Sequence, residues 1–274
     1  MPTLTRKCRG VYRVVALVLA GGVHVLTQSR LDVVSVRENP SDGPNYTADI
    51  AFRPGRLQIT NETLEDLIAY GYSIKAAALR STLIVGWPHT GIQQKRFDIQ
   101  AILTTSDTLS AEQRRRVVLD VLETRFNFKA HRERRLLNGY LAALVKPGTL
   151  GRALKRVDFN CAEIDAGEAP QDESGRSLCR RGLEYRARTA TPFFHGSGSS
   201  DVLALDLELA TRHPVANETE LTGFFVWDID YGPRLPGADR LEVAIREQLG
   251  IKLMPNRVPT DVVVIDDVRM PTPN

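Results

Sequence analysis

The sequence predicts an α+β protein of two similar lobes, each a small mixed or antiparallel sheet packed by helices, joined by a disulfide-stapled linker loop. Three observations carry that expectation. Short runs that alternate apolar and polar residues are interleaved with segments of helical period. One helix and strand pattern recurs at a fixed distance along the chain. Between the two occurrences lies a stretch with no apolar period, rich in turn formers and holding two cysteines.

Residues 1–29 stand apart from this plan. Arg6, Lys7, Arg9 and Arg13 precede the apolar run Val14 to Ala20, Gly21 and Gly22 break it, and Val23 to Leu26 resumes it briefly. Bases followed by a short apolar region are the order of a secretory signal. The run is short of the roughly 20 apolar residues that a bilayer span needs, so cleavage is favoured over anchoring. Small residues at Ala20 and Gly22, and again at Thr27 and Ser29, offer cleavage before Val23 or before Arg30, of which Arg30 is preferred.

The first lobe is expected over residues 30–150. Leu31 to Val36 reads as a strand and Asn39 to Asn45 as a turn; Tyr46 to Phe52 is extended up to a turn at Arg53, Pro54 and Gly55. Leu57 to Ile59 is a short strand. Asn61 is the expected cap of a helix carrying Leu64, Leu67 and Ile68. Phe97 to Ala101 alternates as a half-buried strand. Ser110 and Gln113 form a capping box for a helix with Val118, Val121 and Leu122 on one face. Phe126 to Ala130 alternates again, and Gly139 to Val145 is a further apolar strand.

Residues 151–191 read as the linker loop. Cys161 and Cys179 are an even pair once Cys8 leaves with the signal, and a bridge between them would contribute about 3 kcal/mol by restricting the unfolded chain. The second lobe is expected over residues 192–274. There Gly196 to Ser200 leads into a helix with Val202, Leu205 and Leu209, Phe225 to Ile229 alternates, and a helix presents Leu241, Ala244 and Ile245. Leu249 to Leu253 and Val262 to Ile265 supply closing strands. At an offset of 123, Val118, Val121, Leu122, Phe126, Phe128 and Lys129 fall on Leu241, Ala244, Ile245, Leu249, Ile251 and Lys252, which reads as an internal duplication.

Composition and charge narrow the function classes. With 42% hydrophobic and 25% charged residues the chain is an ordinary globular protein, neither collagen-like nor low in complexity. Its formal +3 resides in the leader: beyond residue 29, 32 bases face 33 acids. A balance of −1 gives no electrostatic reason to expect nucleic acid or an anionic membrane as partner, the membrane being met only through an uncleaved N-terminal segment.

Several motifs together resemble a known family. They are Arg56 to Leu64, Ala69-Tyr70-Gly71, Arg96 to Ala101, Thr124 to Glu133, Leu221 to Phe225, Glu247 to Leu253 and Val264 to Val268. In order and spacing they are similar to the large acidobacterial paralogous family of unknown function best known from Solibacter, over Leu31 to Asn274. The resemblance implies an exported protein with no established activity and supplies no catalytic residues; some relatives attach the domain to membrane peptidase-like sensor modules. This chain departs from the family at Val85-Gly86-Trp87-Pro88, in place of a Gly-Gly-Pro-x-Trp turn. It departs again where Asn217 replaces an Asp and Glu220 a Gly in the run that ends Leu221-Thr222-Gly223.

One constellation of residues offers chemistry. His195 stands beside Ser197, Ser199 and Ser200, any of which is a candidate nucleophile, with Asp201 following, but Gly-x-Ser-x-Gly is absent and Asp201 suits a helix start. No Gly-Lys-Ser/Thr follows the glycines to cradle phosphate. His131 alternates with Lys129 opposite Phe126 and Phe128, which suits a solvated strand position. Asp228 and Asp230 share a strand face without the remaining ligands of a calcium loop, so a solvent face is expected. Arg114 to Arg116 and Arg132 to Arg135 are read as solvated surface. With no metal or cofactor motif, the expectation is an exported, periplasmic or secreted, non-catalytic module that binds an envelope protein or a small ligand. The alternatives are an envelope hydrolase using His195 to Asp201, or a cytoplasmic regulator should the leader not be a signal.

Overall fold

Alternation in the first hundred residues builds an antiparallel sheet. The computed structural model describes residues 31–40, 47–75, 77–164, 168–173, 175–180, 182–185, 192–230 and 239–271; the leader and its cleavage points lie outside them. The first half of the chain forms strands β1 (Leu31–Asn39), β2 (Asp49–Arg53) and β3 (Arg56–Thr63), then helix α1 (Leu64–Tyr72). A single helical turn α2 (Arg80–Leu83), β4 (Ile84–Val85), β5 (Arg96–Leu103), α3 (Ala111–Phe126) and β6 (Lys129–Leu144) follow. The first sheet has the order β1-β5-β3-β2. Leu57 and Ile59 of β3 and Phe97, Ile99, Ala101 and Leu103 of β5 point to one side, where Leu64, Leu67 and Ile68 of α1 and Val117, Val118, Val121 and Leu122 of α3 close over them.

Two caps set these helices. Ser110 and Gln113 form the expected capping box, each side chain bonding the other's backbone N–H at 3.2 and 2.8 Å. Asn61 does not cap α1. Thr63 does, its Oγ1 accepting from the Asp66 N–H, while Asn61 sits buried at φ 54° where β3 shifts register against β5. The bulge moves the helix start two residues along and turns Asn61 inward.

The second half runs β7 (Leu154–Val157), β8 (Gly182–Tyr185), β9 (Pro192–Gly198), α4 (Ser200–Thr211), β10 (Val215–Asn217) and β11 (Phe224–Asp230). Helix α5 (Asp239–Ala244) follows, continued by a π-helical turn Ile245–Leu249, and then β12 (Ile251–Asp267). Its antiparallel sheet has the order β7-β11-β9-β8, which is the first sheet's order strand for strand. The expected linker therefore contains two strands of this sheet, β7 and β8; turn formers at 158–181 hid them because each strand is only four residues long. Cys161 and Cys179 are disulfide-bonded across the intervening loop, with Cα atoms 5.3 Å apart. Helix α4 buries Leu203, Ala204 and Leu207 rather than Val202, Leu205 and Leu209, because it is apolar on nearly every side and periodicity cannot choose its inward face.

A third sheet, β10-β6-β12-β4, joins the two halves. The four short closing strands read from sequence are two long ones. β6 runs unbroken through the polar segment 131–138 and β12 through 254–261, because each pairs along its length with the other. At their ends, β10 adds to β6 and β4 adds to β12, both parallel. Each half thus lends its last strand to the other: Val263 and Ile265, with Val268 just beyond β12, pack in the first core, and Ala142 in the second. The architecture is mixed α+β, with three sheets and five helices among the described residues.

Both departures from the family pattern contain a residue at positive φ. Gly86 has φ 84° and a Cβ there would lie 2.6 Å from the Ile265 carbonyl oxygen. Glu220 adopts φ 56°, a glycine-like conformation held by a residue with a side chain.

Candidate functional site

Sequence pattern places His195, Ser197, Ser199, Ser200 and Asp201 in one seven-residue stretch, and strand geometry separates them. Residues 192–198 are strand, not loop, because they pair with β11: Gly196 lies opposite Trp227 and Gly198 opposite Phe225. Gly196 faces the second core, where an added Cβ would come within 2.6 Å of the Trp227 ring and of the buried Asp206 carboxylate. His195 and Ser197 face the other way, as period two demands. His195 is directly opposite Asp228.

That outer face is partly enclosed. Burial depresses the basicity of His195, Arg180 and Arg176 lower it further, and Asp228 opposes them, so the neutral ring is favoured. Ser197 is only 6% exposed, and neither its Oγ nor Asp228 Oδ1 has a hydrogen-bond partner among the described residues. The expectation that Asp228 is a solvated position is thus corrected: one of its carboxylate oxygens is buried, on the face where Arg176 and Arg180 act on His195.

Ser200 and Asp201 belong to a different arrangement. Ser200 Oγ donates to the Leu221 carbonyl at 2.8 Å and accepts from Asn217 Nδ2 at 3.0 Å, and the same amide donates to Asp201 Oδ1 at 2.7 Å. Asn217 Oδ1 in turn accepts from the Thr219 N–H and hydroxyl. Ser199 is the N-cap residue of α4, without a side-chain capping bond. These hydrogen bonds fasten the helix start to β10 and to the turn after it, and they commit Ser200 Oγ as donor and acceptor.

Beside this network a groove of about 290 Å³ runs between α4 and β10, lined by Asp201, Ala204, Leu205, Glu208, Val215 and Asn217. Asp201, Ala204, Leu205 and Glu208 form one helical stripe at spacings of three and four. Glu208 Oε1 accepts the Val215 N–H at 3.1 Å; burial pushes the Glu208 carboxyl above its usual range, and the bond from Val215 pulls the other way. Sequence reading missed Leu205 as a surface residue and Glu208 altogether; an acid and an apolar residue on the flank of an apolar helix was the available signal.

The arginine runs are engaged within the fold. Arg114 donates to the Leu109 carbonyl and lies over the Phe52 ring, Arg116 pairs with Asp120 and Glu123, and Arg132 covers Tyr72. His131 is exposed, as expected, with Nδ1 3.0 Å from the Asp266 carboxylate. Among the described residues no group of three potential ligands converges as a metal site, and no helix is long and apolar enough to cross a membrane.

A family profile matches residues 26–268, nearly the whole chain. The chain belongs to the DUF3738 family, described as protein of unknown function. No curated protein and no solved structure gives a significant match. The DUF3738 match takes in both halves, the disulfide loop and the α4–β10 groove.

Proposed function

We propose that this DUF3738 protein is an exported module of the cell envelope that binds a partner protein or small ligand without transforming it. The observation that carries the reading is the open α4–β10 groove, with its apolar floor and two carboxylates, next to a candidate nucleophile, Ser200, whose hydroxyl is already committed to the fold. The basic leader followed by a short apolar run, the Cys161–Cys179 bridge and the resemblance to exported acidobacterial paralogues support a periplasmic or secreted location. The repeated strand order supports reading the halves as an internal duplication.

Two measurements test this. Intact mass of the exported chain should begin at Arg30 or Val23; a cytosolic protein retaining Met1 to Ser29 would overturn the location. Native mass spectrometry of the protein incubated with envelope extract should find a retained species.

One observation favours a second reading, a hydrolase: His195 opposite Asp228, with Ser197 on the same face. A screen of esterase, phosphatase and glycosidase substrates decides between them. Turnover that disappears in both His195→Ala and Ser197→Ala would replace the binding module by the enzyme.

A further inference from the structure

The two halves use the same helix flank differently. Thr63 and Ser199 occupy the N-cap positions of α1 and α4, so Glu65 and Asp201 are equivalent, as are Ile68 with Ala204 and Ala69 with Leu205. In the first half, the connection from β4 to β5 is the ten residues 86–95 and includes a 3₁₀ turn, Ile92–Gln94. That turn lies on α1: Ile92 is 2% exposed within the first core, and the Gln94 side chain hydrogen-bonds the Glu65 carboxylate. Ile68 and Ala69 are both buried there. In the second half, the connection from β10 to β11 is only the six residues 218–223 and has no helical turn. Here Leu221 is only partly buried against the second core, the Asp201 carboxylate is met by the Asn217 amide of β10 itself rather than by a side chain of the connection, Leu205 stays half-exposed, and the groove results.

The backbone beside the groove is also open. Pro214 accepts from Tyr140 and Glu218 donates to Ala142, both on β6, so alternation turns the backbone groups of Val215 and Asn217 to the groove side of this edge strand. The Val215 N–H is taken by Glu208. Among the described residues no hydrogen bond is made to the Val215 carbonyl or by the Asn217 N–H and carbonyl, which leaves them for a neighbouring chain.

Resting on the binding-module reading, we infer that the α4–β10 groove receives an extended segment of a partner polypeptide, with an aliphatic side chain over Ala204 and Leu205 and a lysine or arginine against Asp201 or Glu208. The aliphatic anchor does for α4 what Ile92 does for α1. The base answers the two carboxylates, which stand two helical turns apart, roughly 10 Å along the axis, with no cation lining the groove. Backbone pairing to the β10 edge adds register without sequence preference, and the side chains supply the selectivity.

Panning a displayed random-peptide library on the oxidised full chain tests the inference. Enriched peptides should combine aliphatic residues with Lys or Arg. Binding of the best peptide should weaken at least tenfold in Leu205→Arg and in the double variant Asp201→Asn, Glu208→Gln, and should be unchanged in Glu112→Ala on α3. Leu205→Arg should keep the wild-type circular dichroism; if it does not, a charge swap, Asp201→Lys with Lys→Glu in the peptide, serves instead and should restore affinity. Peptides that bind indifferently to these changes would overturn the groove as the site while leaving the binding module standing. Enrichment of acidic peptides would overturn the chemistry. Self-association abolished by Leu205→Arg, without peptide binding, would make the occupant a second copy and overturn the partner segment. No enrichment at all would also overturn it, whereas failure of the broader reading shows separately as substrate turnover.

Discussion

Asn217→Asp removes two hydrogen-bond donors while changing almost nothing in size. The amide at this position donates to Ser200 Oγ and to Asp201 Oδ1, and its own oxygen accepts from Thr219. An aspartate keeps the Thr219 contacts, loses both donors, and places a carboxylate oxygen where the amide nitrogen now stands, 2.7 Å from Asp201 Oδ1. Losing the Ser200 bond costs about 1 kcal/mol and losing the charge-assisted bond a further 1 kcal/mol or so, the latter reduced because Asp201 is solvent-exposed. Repulsion between the carboxylates adds roughly 1 kcal/mol after screening and side-chain rotation. The total, about 3 kcal/mol, corresponds to a Tm lower by about 6–12 °C in a chain of this size. The introduced carboxyl, forced against Asp201, has its folded pKa raised above its unfolded value. Its penalty is therefore complete at neutral pH and shrinks as pH falls through the folded pKa toward about 4, where a protonated carboxyl donates again. Thermal unfolding of wild type, Asn217→Asp and the uncharged control Asn217→Ala between pH 4 and pH 8 measures this. A gap for Asn217→Asp below 2 °C at pH 7, or one as flat with pH as that of Asn217→Ala, would refute the argument.

Four other outcomes are expected. Replacing Cys161 and Cys179 together by alanine should lower stability by about 3 kcal/mol in denaturant unfolding, since their bridge closes a loop of 18 residues. Glu220→Gly should raise stability by about 0.5–1 kcal/mol, because relief of the left-handed conformation at φ 56° exceeds the extra unfolded-state entropy of glycine. Glu208→Gln should raise Tm at pH 7 and leave it unchanged at pH 4: burial raises the folded pKa of Glu208, so its destabilising effect is present when ionised and vanishes below the unfolded value. The isolated fragment 30–150 should lack amide dispersion in NMR spectra, because it omits Val263, Ile265 and Val268 from its core, a loss of about 5–9 kcal/mol against a total stability of about 5–15 kcal/mol.

Local signals were legible wherever one face of an element was decided by its own residues. Phe97, Ile99 and Ala101, the Ser110 capping box, and Phe225, Trp227 and Ile229 all stand as alternation or capping chemistry implied. Partnership between distant segments was not legible. The polar run His131 to Arg135 is strand only because Thr260 to Val264 lies beside it, and β7 and β8 are strands only because β11 and β9 receive them. The same limit applied to the site. Ser197 and Ser200 are three residues apart in sequence, yet one is buried on the outer face of β9 and the other is bonded to Asn217, seventeen residues downstream on β10.

Where the fold can vary follows from how the halves are joined. Each core contains residues of the last strand from the opposite half, so the central sheet cannot loosen on one side without exposing Val263 and Ile265 or Ala142 on the other. Close approaches reinforce it: a Cβ at Gly139 would lie 2.2 Å from the Pro214 carbonyl oxygen, so even the β10 edge is held at backbone contact. Change is therefore tolerated in the connections between strands, and these are where the halves differ. The β4–β5 connection brings Ile92 onto α1, the β10–β11 connection meets α4 at Ser200 through the Leu221 carbonyl, and the disulfide-bonded loop brings Arg176 and Arg180 to bear on His195. A scaffold fixed at its centre and variable at its connections places binding functions at those connections. The α4–β10 groove and the covered face of His195 and Asp228 are both products of such connections.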